Sequence, residues 1–188
     1  MAYLILGILL WAAAHLFPAM GVDRRARVVE RLGEGPYRGL FSVVIAVAVV
    51  LMVFGWQSAT PTRIYRAPSL GPPLTGMIML VALVLFFAAR LQTNIKRALR
   101  HPQLTGVLVW AFAHLLANGD SRSVTLFGGL AAWSVVQIIA INRRDGPWKK
   151  PDPVPFKRDA LPVVIGAVAY GILLWAHPWL FGVSAAHF

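Results

Sequence analysis

Six stretches of about twenty residues each decide what this chain can fold into. They cover residues 2–20, 39–57, 73–90, 102–118, 124–141 and 161–183, and apart from the terminal Arg90 they hold no Asp, Glu, Lys or Arg. About twenty apolar residues in helical form cross the ~30 Å hydrocarbon layer of a membrane. Inside that layer the backbone must satisfy its own hydrogen bonds, so each stretch is expected to be a helix. Charged residues are 13% of the chain, about half the share in a soluble domain. The expected fold is therefore all-α, a polytopic transmembrane six-helix bundle, with residues 1–188 as a single integral membrane domain. The first stretch has no Lys or Arg before it and no small-residue cleavage site, so it reads as a retained helix.

The net charge is +11. In a soluble chain that value would point to nucleic acid, but its placement points to a membrane. Of the 18 basic residues, 15 fall in alternate links. Arg24, Arg25, Arg27, Arg31 and Arg38 lie in the first, Arg90, Lys96, Arg97 and Arg100 in the third, and Arg143, Arg144, Lys149, Lys150, Lys157 and Arg158 in the fifth. Only Arg63, Arg66 and Arg122 lie in the others. This is the positive-inside distribution. It predicts a multi-pass protein of the bacterial inner (cell) membrane with both termini periplasmic. The partners expected are a lipid bilayer with anionic headgroups and a hydrophobic small molecule, not nucleic acid.

The links carry further signals. Arg27, Glu30, Arg31 and Glu34 stand three and four apart, which predicts a cytoplasmic surface helix or turn and not a catalytic site. Pro147, Pro151, Pro153 and Pro155 make residues 142–160 an extended surface segment. Asn118-Gly119-Asp120-Ser121 is a turn cluster that predicts a tight hairpin of the fourth and fifth stretches. Pro102 and Pro162 are expected at helix starts, where the missing N–H costs nothing. Pro18 falls in the last turns of the first stretch and frees the carbonyl of Ala14.

The chain has no cysteine, which removes disulfides, thiolate ligands, iron–sulfur clusters and cysteine nucleophiles. No pair of carboxylates lies in the apolar stretches, and neither G-x-S-x-G nor H-E-x-x-H occurs. Histidine is what remains, and two histidines share a phrase. One reads Leu10-Trp11-Ala12-Ala13-Ala14-His15-Leu16, the other Val109-Trp110-Ala111-Phe112-Ala113-His114-Leu115. Trp and His four apart share one helix face. A histidine at membrane depth marks a function by default, and two such phrases suggest a metal or haem clamped between two helices. Counted along the helices, His15 and His114 lie roughly 12 and 18 Å from the cytoplasmic edge. The plain alternative is that each imidazole hydrogen-bonds a carbonyl of a neighbouring helix.

Other polar positions are few. Trp11 and Trp110 either pack on a bound macrocycle or anchor at the membrane interface. Gln137 either bonds the second nitrogen of a ligand imidazole or joins two helices. Arg100 and His101 form a possible secondary site at the mouth of the fourth stretch, with an N-cap or a headgroup contact as the alternative for His101. His177 reads as interfacial and His187 as a tail residue without a role. Gly128-Gly129 reads as a helix-packing contact.

The run Arg100-His101-Pro102-Gln103-Leu104-Thr105-Gly106, continuing through Trp110 to His114 and Asn118-Gly119-Asp120, resembles the NnrU family of bacterial membrane proteins. His15, Arg24, Gly33-Glu34 and Tyr37-Arg38-Gly39-Leu40 agree with it, so the resemblance covers residues 6–144 and is most specific from Arg100 to His114. It implies a link to denitrification and nitric-oxide metabolism, or its regulation, and kinship with the 15-cis-zeta-carotene isomerase. That relative implies haem b held by two histidines matching His15 and His114, with isomerase-type chemistry on a lipid. It carries a cysteine three residues before its second histidine, where this chain has Ala111, so the same redox-dependent ligand exchange is not implied here. The Arg-His-Pro turn also resembles integral-membrane methyltransferases of the isoprenylcysteine carboxyl type, where it helps bind S-adenosylmethionine. Those enzymes have a Glu-rich, Tyr-containing segment after the next helix; this chain has Asn142-Arg143-Arg144-Asp145-Gly146-Pro147. A haem protein, a methyltransferase-like enzyme and a non-enzymatic assembly or regulatory factor all stand open.

Overall fold

Glycine, proline and one aspartate set where the apolar runs begin and end. The computed structural model describes residues 1–183, and among them it is all-helical. The elements are α1 (Ala2–Met20), α2 (Val22–Leu32), α3 (Glu34–Ser58), α4 (Gly71–Ala88), α5 (Ile95–Ala98), α6 (Pro102–Ala117), α7 (Ser121–Asp145) and α8 (Lys157–Phe181). Four of these, α1, α3, α7 and α8, are long and apolar enough to cross a membrane. The apolar helices Pro73–Ala88 and Pro102–Ala117 are shorter; α6, with 16 residues, spans roughly 24 Å.

Several ends differ from those the apolar pattern predicts, because polar residues extend helices beyond the hydrocarbon-like run. α3 starts at Glu34, directly after Gly33 with its φ of 87°. α7 starts at Ser121, since the Asp120 carboxylate accepts the N–H groups of Arg122 and Ser123. It then runs on to Asp145, where Gly146 at φ 67° stops it. α8 starts at Lys157, so Pro162 lies inside the helix and not at its start. Pro102 does stand in the first turn of α6. α1 continues through Pro18 to Met20. The proline-rich link shortens accordingly to residues 146–156.

The chain divides into two compact units: Met1–Tyr65 with Asp120–Pro147, and Arg66–Gly119 with the chain from Trp148 onward. The expected hairpin at Asn118-Gly119 is thus a boundary between units, with α6 packing on α4 and α7 packing on α1.

In the first unit α1 is the shared partner of α3 and α7. Small residues let the backbones approach, as in membrane helix packing. A Cβ on Gly55 would stand 2.2 Å from the Leu4 nitrogen, and one on Gly7 would stand 2.7 Å from the Ala48 oxygen. Gly129 lies against Ile8, while Gly128 faces open space, so the expected packing contact belongs to one glycine of the pair. The short helix α2 is tied to α3 through Glu34, which pairs with Arg25 at 3.5 Å and Arg38 at 3.0 Å, and Arg25 lies over the Tyr37 ring. At the other end Asp120 also accepts the Ser123 hydroxyl at 2.6 Å, and Arg122 lies over Trp56 and donates to its carbonyl.

In the second unit α4 is the shared partner of α6 and α8. Gly106 faces the Ala82 carbonyl and Gly166 faces the Val84 backbone, both too closely for a Cβ. The Thr75 hydroxyl stands 2.8 Å from both the Gly71 and Ala113 carbonyls. Asn94 clasps the start of α8 and the link before it: its side chain donates to Val154 O and Asp159 Oδ2 and accepts the Val154 N–H.

The interior of both units is poor in bulky side chains. Ala48, Ala88, Ala111 and Ala113 are fully buried, while Leu9, Val50, Met77, Val164, Ile172 and Trp175 point outward. A large apolar face left outside and small residues inside is what a lipid-embedded protein requires.

Candidate functional site

His15 stands five residues before Met20, the last residue of α1. Its Nδ1 lies 2.9 Å from the carbonyl oxygen of Trp11. A carbonyl oxygen only accepts, so Nδ1 carries the proton, and in the neutral ring the lone pair sits on Nε2. The four-residue spacing also stacks the two rings, with centroids 4.3 Å apart and planes 34° from parallel. α7 adds Trp133, edge-on to His15 at 5.1 Å and to Trp11 at 5.6 Å. α3 adds Phe41 at 5.5 Å from the imidazole. Three aromatic side chains from three helices thus surround one imidazole.

Gln137 follows Trp133 by four residues and shares its helix face. Its Nε2–H donates to the backbone carbonyl of His15 at 3.2 Å. Gln137 therefore joins α7 to α1 at the ligand candidate's own backbone and does not touch the imidazole nitrogen. Around it Trp11 Nε1, Trp133 Nε1, Ser134 Oγ and Gln137 Oε1 are buried with no hydrogen-bond partner among the described residues. Each such orphan disfavours the site by about 1–3 kcal/mol, so this seam is polar beyond what packing alone calls for.

The second unit repeats the Trp–His arrangement on α6. His114 lies three residues before Ala117, the helix end. Its Nδ1 is 2.9 Å from the Trp110 carbonyl, and the two ring centroids are 5.0 Å apart at 52°. The tautomer argument is the same: Nδ1 donates and Nε2 holds the lone pair. The turn is braced by Asn118, whose Nδ2 donates to the His114 carbonyl, and by the Thr75 bond to Ala113. In both histidines the Nδ1 partner is the carbonyl four residues back in the same helix, not a carbonyl of a neighbouring helix.

Of the remaining candidates, His177 lies in the same unit as His114 and close enough to interact with it electrostatically. His101 occupies the N-cap position of α6, yet its side chain makes no capping bond; its carbonyl instead accepts the Thr105 N–H and hydroxyl. Arg100 precedes it in the link after α5. His177 sits near the end of α8, its Nδ1–H donating to Val183 O at 2.7 Å and its ring beside Phe181. His187 lies outside the described residues. Trp133 and Phe41 went unnoticed in the sequence. Trp133 could have been found, since it stands four residues before Gln137 on one face of an apolar helix. Phe41 leaves no local signal, because its position depends on the register of α3 against α1.

Among the described residues no three His, Cys, Asp or Glu side chains gather as a metal site. In each Trp–His pair Nε2 is the ring nitrogen that is not bonded to the tryptophan carbonyl. That donor set suits an iron whose macrocycle supplies four ligands of its own, not a bare ion that needs three or four from the protein. The hydrogen-bonded Nδ1 also suits it, since ligating histidines almost always donate their other ring N–H to a carbonyl or carboxylate, which fixes tautomer and orientation.

The family model described as NnrU protein matches residues 3–185. The chain belongs to the NnrU family. No curated protein and no solved structure matches it. The match runs through α1 and α6 alike.

Proposed function

We propose that this NnrU-family protein is a six-span membrane protein that binds haem b through His15 and His114, in a role tied to nitrogen-oxide respiration or its regulation. One observation carries the reading: two histidines in two different units make the same Nδ1–H bond to the carbonyl of a tryptophan four residues back. Histidines that ligate iron almost always donate their other ring N–H in this way, so both imidazoles would be held in the tautomer and orientation that binding the iron of a haem calls for. The chain has no cysteine for thioether attachment or thiolate ligation; the b-type group is what the resemblance to the isomerase implies.

Bound haem would supply a redox-active iron with exchangeable axial positions. The chain's part is orientation and exclusion of water. Trp11, Trp133 and Phe41 restrain the His15 ring. Gln137 holds the His15 backbone against α7. Asn118 and Thr75 brace the turn of α6 that carries His114. The nitrogen-oxide role rests on the family resemblance. The six spans and the periplasmic placement of both termini rest on the alternation of basic links, with α4 and α6 crossing as short helices. The membrane is the bacterial inner membrane in this reading.

Absorption spectra of the purified protein, oxidised and reduced, test the proposal. A low-spin Soret band is expected in the native chain and is expected to be lost or converted in His15→Ala and in His114→Ala. His177→Ala and His101→Ala should retain it. Absence of a Soret band in protein expressed with ample haem, or retention of the native spectrum by both single variants, refutes haem ligation. Binding of S-adenosylmethionine by such protein would transfer the reading to the Arg100-His101-Pro102 turn. Turnover of a polyene lipid separates an enzyme from a sensor or an assembly factor.

A further inference from the structure

We infer that α2 is an interfacial helix that lies along one face of the membrane and gathers anionic phospholipid headgroups through Arg24, Arg27 and Arg31. This rests on α1 and α3 crossing the membrane and is independent of haem.

Connectivity supplies the first argument. α2 is joined to α1 through Gly21 alone and to α3 through Gly33 alone. Both flanking helices are long and apolar enough to cross a membrane. Their adjoining ends, Met20 and Glu34, therefore come to the same membrane face, and the link between them, the eleven residues of α2 with one glycine at each end, has no slack to leave it. At 1.5 Å per residue α2 is roughly 16 Å long, so it lies along the surface.

The pattern of the helix supplies the second. At 100° per residue Val22, Ala26, Val28, Val29 and Leu32 fall on one side, and Arg24, Arg27 and Arg31 fall together at the centre of the other. No residue of α2 is buried, and Val22 and Leu32 are each 49% exposed. Val22, Ala26 and Leu32 of that stripe are exposed and Val28 and Val29 are half-buried. Arg25 falls within the stripe but is turned to Glu34 and Tyr37. An apolar side left largely uncovered, with three arginines opposite, is the composition of a helix that sinks its apolar face into the headgroup boundary. Asp23 and Glu30 sit at the edge of the polar face. Arg25 is set apart from the other arginines: it pairs with Glu34 and stacks on Tyr37, which locks the angle between α2 and α3. Arg24, Arg27 and Arg31 are exposed and have no ion pair among the described residues. Three guanidinium groups on one face match phosphate oxygens in charge and in fork geometry.

The chain's lack of cysteine makes the test direct. Val22→Cys in the full chain is labelled with bimane and placed in phosphatidylcholine vesicles holding a fixed fraction of phosphatidylglycerol. Brominated acyl chains are put on one lipid or the other as quencher. Both should quench, which sets the apolar face at acyl depth. At low salt the phosphatidylglycerol should quench as though enriched roughly fivefold at the label. The preference should shrink as salt shortens the screening length, and should vanish in the triple variant Arg24→Gln, Arg27→Gln, Arg31→Gln. Equal quenching by the two lipids at low salt overturns the inference, as does absence of quenching by either, the result expected if α2 faced a soluble partner. If the triple variant does not fold, the salt titration of the chain with its arginines intact decides the same question. Haem spectra play no part in the readout, so failure here and failure of the haem proposal are distinguishable.

Discussion

Gly55→Ala is expected to destabilise the protein by about 2 kcal/mol, although alanine is the better helix former. The added Cβ would lie 2.2 Å from the Leu4 nitrogen, 2.6 Å from its Cα and 2.8 Å from the Tyr3 carbonyl carbon. Non-bonded heavy atoms rest roughly 3.5–4.0 Å apart, so α3 must retreat from α1 by ~1 Å or more at this point. All three obstructing atoms are backbone, and no side-chain rotation relieves them. Overpacking of this kind costs about 1–3 kcal/mol, and a rigid seam belongs at the upper end. The same seam carries fully buried Leu4 and the Gly7–Ala48 approach, which loosen together. Against this stands the intrinsic gain of Gly→Ala in a helix, ~1 kcal/mol. Gly171→Ala is the matched control: it lies inside α8 and its Cβ would meet nothing within 4 Å, so only the gain remains. Thermal unfolding of both variants in one detergent, read against the parent, should move in opposite directions. Gly55→Ala as stable as the parent, or more stable than Gly171→Ala, refutes the account of the α1–α3 seam.

Three further outcomes follow from particular contacts. Asp120→Ala should cost about 1–2 kcal/mol by removing the α7 cap, measured by the same unfolding assay. Burial by itself would raise the Asp120 carboxyl, but the bonds from Ser123 and the Arg122 N–H, with the Arg122 charge, outweigh it and hold the group below its usual range. The unfolded chain then takes up the proton first, so this contribution is full above pH ~4 and declines as pH falls below it; stability that falls instead on raising pH from 4 to 7, and not in Asp120→Ala, would contradict the sign. Gln137→Leu should change stability by less than ~1 kcal/mol, because the lost bond to His15 O is offset by removing the unpartnered Oε1; a larger loss in unfolding assays would show that Oε1 has a partner. Asn94→Ala should speed proteolysis within residues 146–156, since Asn94 bonds Val154 through both side-chain atoms and Asp159 through backbone and side chain; unchanged cleavage rates would refute the clasp.

The helical class and the position of each apolar run were legible because period and charge placement carry them. α1 runs over the expected residues 2–20. Of the helix or turn read from Arg27, Glu30, Arg31 and Glu34, the first three lie in α2, while Gly33 breaks the helix and Glu34 opens α3. Helix ends were less legible where polar residues continue a helix, as at Asn142–Asp145 and Lys157–Leu161. The choice of partners was not legible. It is set by where small residues let backbones meet, Gly55 on Leu4 or Gly166 on Val84, and chain order does not encode it. For the candidate site, the spacing of Trp11 with His15 and of Trp110 with His114 was enough to place each pair on one face. The proton on Nδ1 was not readable, since it depends on the rotamer. Nor was the contribution of Phe41 and Trp133, which requires knowing that α3 and α7 both pack on α1.

The central claim is that two histidine nitrogens hold one iron, and counting those nitrogens tests it most directly. Protein grown with ¹⁵N-histidine, purified and oxidised, can be examined by pulsed electron paramagnetic resonance at the low-spin iron. Strong hyperfine couplings from two directly bound histidine nitrogens are predicted in the native chain; in His15→Ala and His114→Ala the low-spin signal should be lost or converted, with no more than one bound histidine nitrogen remaining. A native protein with one coupled histidine, or with no low-spin iron at all, contradicts the account.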